Sequence, residues 1–304
     1  MKKYLFTLSL LMFFYNTCKT QNKEISKTIK SSAGTTFLKV QALPYVQKLQ
    51  ANLNESSGLI YFDKLYWTFN DSGGKNEIYG TNREGKIVRN VELKNAKNID
   101  WEDIAQDNKH IYIGDFGNNN GVRNNQKIYI FNKKSLNDSK EQKVEVSEIR
   151  FSFKNQESFN FQPRNTSFDC EALTEFKGNL YLFTKDWSDE TTTVYKVPKK
   201  KGDYLLEPLE KLDASCLITG ADISPDKKQL ALVGYHNFKP VVWLFTGFYK
   251  DNFFRGEKTC MELDNIYNAQ TEGICFMGND TLLISCEQTS AFDQQIFYID
   301  LKKL

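Results

Sequence analysis

Histidine is nearly absent from this chain: His110 and His236 are the only two among 304 residues. That scarcity excludes an H-E-x-x-H zinc motif and any paired-imidazole metal site, and no G-x-S-x-G elbow is present either. A Ser-His-Asp hydrolase would have to depend on His236 alone, because His110 stands in the turn before an apolar strand. The six cysteines have no metal-ligand spacing. Once Cys18 is set aside, the other five (Cys170, Cys216, Cys260, Cys275 and Cys286) are an odd number and cannot all pair within the chain. Cys170, Cys275 and Cys286 fall inside strand phrases and read as small buried apolar side chains. An excess of one charge sign is missing as well. Forty Lys and Arg against 38 Asp and Glu leave a formal charge of +2. Outside Lys199–Lys201 there is no long basic run, so a nucleic-acid partner has little electrostatic basis. Pro198–Gly202 reads as a solvated hairpin tip. Asp115-Phe116-Gly117 spells a kinase tripeptide, but no glycine-rich loop or catalytic-loop signature accompanies it.

The apolar stretch at the N-terminus, Tyr4–Tyr15, follows Lys2 and Lys3 and is 12 residues long. A bilayer span needs about 20, so the pattern predicts a signal segment over 1–17. Residues 18–35 are polar and read as a flexible tether, leaving 36–304 as one domain.

One phrase recurs five times along that domain: a small or acidic tetrad ending in Leu or Ile, a polar turn, and an apolar strand ending in a polar or charged residue. The copies begin at Glu55-Ser56-Ser57-Gly58-Leu59, Trp101-Glu102-Asp103-Ile104, Cys170-Glu171-Ala172-Leu173, Gly220-Ala221-Asp222-Ile223 and Thr271-Glu272-Gly273-Ile274. A repeat of about 40–55 residues with four strand signals is what a β-propeller blade requires. The 23 Phe and 15 Tyr suit sheets, where aromatic rings pack across strands. The expected fold is an all-β propeller of five blades, or six if 133–165 hides a degenerate one. The last copy has only three strands, and Phe37–Leu49 can supply the fourth, closing the ring from the N-terminus.

Inner strands line a propeller's channel, and loops at its mouths carry function. The repeat register places Glu102, Glu171 and Glu272 at equivalent positions, with Ser57 and Ala221 in the other two blades, and adds Asp103 and Asp222 one residue on. Asp71, Asp115, Lys185, His236 and Glu287 end the second strands and should form a ring at one mouth. Glu102, Glu171, Glu272 and Asp222 are therefore candidate oxygen ligands for Ca²⁺, with backbone hydrogen bonding to the neighbouring blade as the alternative use of each carboxylate. Asn70-Asp71-Ser72-Gly73-Gly74 and Asp115–Gly121, which includes Asn118 and Asn119, are either ligand-binding loops or turns. Arg123 and Lys185 either clamp an anionic ligand or neutralise the acidic ring.

Taken together, Trp101–Ala105, Gly114–Asn119 with Arg123, Cys170–Leu173, Thr184-Lys185, Thr219–Asp226 and Glu272–Ile274 resemble a family of bacterial extracytoplasmic propellers without a settled biochemical role. The plan is similar, more distantly, to SdiA-regulated and phytase-like propellers. The phytase-like resemblance implies calcium in a carboxylate-lined channel, although a full set of phytase calcium ligands is not present in this sequence. Cys18-Lys19-Thr20-Gln21 resembles the start of bacterial lipoproteins, without the usual Leu three positions before the cysteine. That resemblance implies lipid anchoring of Cys18 in the cell envelope; the alternative is a secreted or periplasmic soluble protein. Three functions fit: binding of a small ligand, glycan or protein at an acidic channel mouth; calcium-dependent hydrolysis of phosphate esters; and an envelope interaction scaffold.

Overall fold

The computed structural model describes residues 27–32 and 34–304, with side chains from Gly34 onward. The signal segment 1–17 and Cys18 lie outside the described residues. No helix among the described residues is long and apolar enough to cross a membrane.

Five sheets form a ring. Their inner strands, Ser56–Phe62, Trp101–Gln106, Asp169–Phe176, Leu217–Ile223 and Thr271–Phe276, pack against one another around a central axis. Each sheet continues outward through antiparallel neighbours. Continuous apolar runs in the sequence explain why. Strands such as Ile111-Tyr112-Ile113 and Leu180-Tyr181-Leu182-Phe183 are buried on both faces, because each blade is covered by a neighbour on either side.

The core is accordingly divided into five apolar clusters, one in each seam. Leu59, Tyr66 and Leu283 lie between blades five and one, and Trp67, Trp101 and Tyr129 between one and two. Phe151 and Leu182 fill the next seam, Phe183, Trp243 and Phe253 the one after, and Val242, Ile284 and Phe297 the last. Burying one such side chain contributes about 1.5–3 kcal/mol, so each seam is a substantial fraction of net stability.

The count of five blades is as expected, and the region 133–165 holds no sixth. Its strand Glu141–Glu145 lies parallel on the outer edge of blade one, against Asn90–Lys94. Gly202–Leu206 does the same for blade two, against Ile149–Phe153. Connections between blades thus return to cover the preceding blade's open edge, which would otherwise offer unpaired backbone groups.

The N-terminal segment closes two blades rather than one. Leu43–Val46 pairs antiparallel with Gln295–Asp300 and completes blade five, as expected. Thr35–Lys39 pairs parallel with Lys258–Glu262 of blade four. Lys27–Ser32 adds a further strand to that edge, so the expected tether over 18–35 is interrupted by paired backbone. The basic hairpin tip is also corrected. Lys199 Nζ lies 2.6 Å from Asp107 Oδ2 and 3.1 Å from Glu175 Oε1, so it ties blade three to blade two; Lys200 and Lys201 remain exposed.

Candidate functional site

Each inner strand carries a one-residue bulge, and in three of them the bulge turns a glutamate toward the channel mouth. Glu102 is the extra residue between Trp101 and Asp103, Glu171 between Cys170 and Ala172, and Thr219 between Ile218 and Gly220. In blade five the irregularity spans Glu272 and Gly273, and in blade one Gly58 and Leu59. Glu102, Glu171 and Glu272 are therefore brought together as the repeat implied. The equivalents in the other blades are Thr219 and Gly58, not Ala221 and Ser57. Gly58 adopts φ +59°, and a Cβ there would lie 2.9 Å from Ile104 N, so no side chain fits at that point of the channel. Bulges re-aim side chains in this way at functional rims.

The same register divides the expected second-strand ring. Lys185, Tyr235 and Glu287 stand one residue beyond the pairs Cys170–Thr184, Ile218–Gly234 and Thr271–Cys286. Asp115 is itself a paired residue, opposite Trp101, and faces away from the channel. His236 is offset the other way; its Nδ1 sits 2.6 Å from Glu190 Oε2 on the surface, and Tyr235 takes its place at the mouth. His110 is at the opposite end, beside Asp107.

A cavity of about 420 Å³ occupies the mouth. Asp71, Glu102, Glu171 and Glu272 line it together with Lys185 and Tyr235. The Asn119-Asn120 loop, Pro163, Arg164, Trp187 and Gln270 complete the wall. Asp115, Asn118, Arg123, Asp222, His236 and Glu287 are not among its lining residues. Asp222 accepts the Phe276 N–H at 2.8 Å lower in the channel, and Asp103 accepts those of Leu173 and Ala221. Both carboxylates therefore pin neighbouring blades. Asn118 Oδ1 accepts the Arg123 backbone N–H, and its own N–H donates to Asp169 Oδ1.

Arg123 is fully committed inside the protein. Its guanidinium contacts Asp115 Oδ1 at 2.9 Å, Gly117 O at 2.9 Å and Asp115 O at 3.2 Å. The side chain freed for the cavity is Arg164, exposed on the loop before blade three and 5.6 Å from the Trp187 ring. Its backbone N–H donates to Asn119 O, which fixes that loop on the rim. Nothing in the repeat marks Arg164, because it lies between phrases.

Lys185 is buried. Its Nζ lies 3.3 Å from Glu171 Oε1, an ion pair without hydrogen-bond alignment, and 4.7 Å from the Trp187 ring centre. Burial opposes its charge, but the Glu171 and Glu272 carboxylates outweigh that and hold the ammonium pKa well above its ordinary value. Trp187 is fixed by its indole N–H, which donates to Asp169 Oδ2 at 2.6 Å.

Two of the lining carboxyls, Asp71 and Glu102, belong to a cluster of three. One oxygen from each of Asp71, Asp100 and Glu102 lies within 4.8 Å of the others. Two unit charges at that spacing repel by about 3 kcal/mol at an effective dielectric of 20. Burial pushes Asp71 up to about 7, helped by the charges of Asp100 and Glu272. Burial pushes Asp100 up to about 6, with Asp169 adding to it. Glu102 is raised well above the carboxylate range by burial, then by Glu171 and Asp71, and Glu287 is pushed to about 9 by burial and by Glu272. Glu102 Oε1 is buried and has no hydrogen-bond partner among the described residues. Asp100 was not anticipated; the one signal for it was its place immediately before the Trp101 phrase. Asn98 holds this corner by donating to the carbonyls of Asn70 and Asp71, each at 2.9 Å.

No family model matches the sequence, and no curated protein matches it. Among solved structures, the PQQ-bound aldose sugar dehydrogenase of Streptomyces coelicolor superposes with a TM-score of 0.51 at 10% identity, over 86% of this chain and 97% of that one. The chain is a β-propeller. The GH43_1 enzyme of Xanthomonas citri matches with a TM-score of 0.45 and 12% identity, over 85% of this propeller and 89% of the enzyme. CoXyl43, a β-xylosidase/α-arabinofuranosidase from a compost metagenome, gives 0.45 and 8%, over 85% and 94%. At 10% identity the likeness to the dehydrogenase establishes fold and carries nothing about activity.

Proposed function

We propose that this chain is an extracytoplasmic propeller, anchored through Cys18, that binds a small anionic sugar or phosphate ester in the channel mouth. The observation that carries this reading is the mixed lining of one small cavity. The carboxyls of Asp71, Glu102, Glu171 and Glu272 share it with Lys185, Trp187 and Arg164. A volume of about 420 Å³ suits a small molecule rather than a protein segment. An aromatic ring beside a cation is suited to a sugar face carrying a negative group.

Trp187 provides the readout. Glucose 6-phosphate and glucuronate, titrated against the purified protein, are expected to change tryptophan emission saturably, and glucose to do so more weakly. Arg164→Ala should weaken the response about tenfold, the scale of one lost charge-assisted hydrogen bond. Equal responses to all three sugars in both proteins, or none at all, would reject the reading. Calcium-dependent hydrolysis of phosphate esters is the second reading, favoured by Asp71, which lines the cavity and whose raised carboxyl can carry a proton near neutral pH. Release of inorganic phosphate in the same titration separates turnover from binding.

A further inference from the structure

We infer that Asp71, Asp100 and Glu102 form a binding site for one Ca²⁺ ion at the wall of the channel mouth. This deepens the reading of the mouth as a binding site, and its ligand set shares only Glu102 with the three bulge glutamates. Glu171 and Glu272 already have partners: Lys185 faces the first, and Gln270 donates to the second at 2.9 Å. Among the described residues, the Asp71, Asp100 and Glu102 corner has no comparably close cation. Arg123 Nη1 comes only to 3.9 Å from Asp100 Oδ2, and its hydrogen bonds go to Asp115 and Gly117.

Two observations beyond the acidic cluster point to an ion. Glu102 is 4% exposed, and its Oε1, beside Asp100 Oδ2 at Gly117, has no hydrogen-bond partner among the described residues. Buried carboxylate oxygens left in that state are costly unless a cation or proton completes them. The second is Gly117. A Cβ at this residue would overlap Glu102 Oε1 and come within 2.6 Å of Asp100 Oδ2, so the bare backbone leaves room for the two carboxylates to converge. The donors are all carboxylate oxygens, with neither His nor Cys in the cluster, which selects a hard cation. Asn119 and Asn120 line the same cavity and carry neutral amide oxygens.

The test is calorimetric titration of chelator-treated protein with CaCl₂, with MgCl₂ run in parallel, and elemental analysis of untreated protein. One equivalent of saturable Ca²⁺ binding and a raised melting temperature are expected. Glu102→Gln should weaken Ca²⁺ at least tenfold. Gly117→Ala keeps every charge but displaces two ligands, and should weaken it as much. Should Gly117→Ala fail to fold, Asp100→Asn takes its place. The proposal is overturned by absence of saturable Ca²⁺ binding in protein that also contains no stoichiometric metal, or by unchanged affinity in these variants. The ion itself is read out, so a failed sugar titration would leave this result standing.

Discussion

At the scale of single residues, similar side chains take different roles according to which way the backbone turns them. Arg123 and Arg164 illustrate this. Arg164 is exposed on the rim, whereas the Arg123 guanidinium is an internal strut between Asp115 and the Gly117 carbonyl. Asp115 is fully buried, so deleting its cation leaves an uncompensated charge inside. Arg123→Ala should therefore cost about 3–5 kcal/mol, measured by urea denaturation with and without sugar ligand. A ligand clamp would instead lose binding at unchanged stability. Arg123→Lys should restore only part, because an ammonium cannot reproduce the guanidinium's divided contacts.

At the scale of elements, the outer edges hold the least legible part of the architecture. Inner and second strands were readable from alternating phrases, but Glu141–Glu145, Gly202–Leu206 and Thr35–Lys39 pair with strands far away in sequence. Their polar, partly exposed residues carry little periodicity. The pairing makes a graded prediction. Truncation through Lys39 removes the strand that covers blade four and should lower the melting temperature while leaving a folded ring. Truncation through Leu49 also removes Leu43–Val46, whose Val46 is fully buried, and opens blade five. That shorter chain should lose the cooperative transition in circular dichroism. Equal stability of the two truncations would mean that closure does not depend on Leu43–Val46.

At the scale of the whole molecule, the near-neutral net charge conceals a concentration of carboxyls at one end of the channel. Their pKa values lie above those of an unfolded chain, at about 7 for Asp71, 6 for Asp100 and 9 for Glu287. A group raised in this way contributes stability that is complete below its unfolded pKa and lost as pH rises through its folded pKa. The metal-free protein should thus lose stability steadily from about pH 4 to pH 9. Glu287→Gln should flatten the upper part of that slope in melting curves recorded with chelator. A slope unchanged in the variant would place the titration elsewhere.

The sequence by itself determined the repeat, the closing role of the N-terminal segment, and the convergence of Glu102, Glu171 and Glu272, and it narrowed the blades to five or six. These follow from local patterns: strand alternation and rotation of equivalent positions. Tertiary structure alone decided which carboxyls share a corner. Asp71, Asp100 and Glu102 come from two blades and two loops, and the bulge register sets which of their neighbours face inward. A shift of one residue reverses the face of a strand side chain. That is why Asp115 and His236 left the expected ring while Tyr235 entered it, and why Arg164, on a loop between repeats, reached the mouth without any sign in the repeat itself.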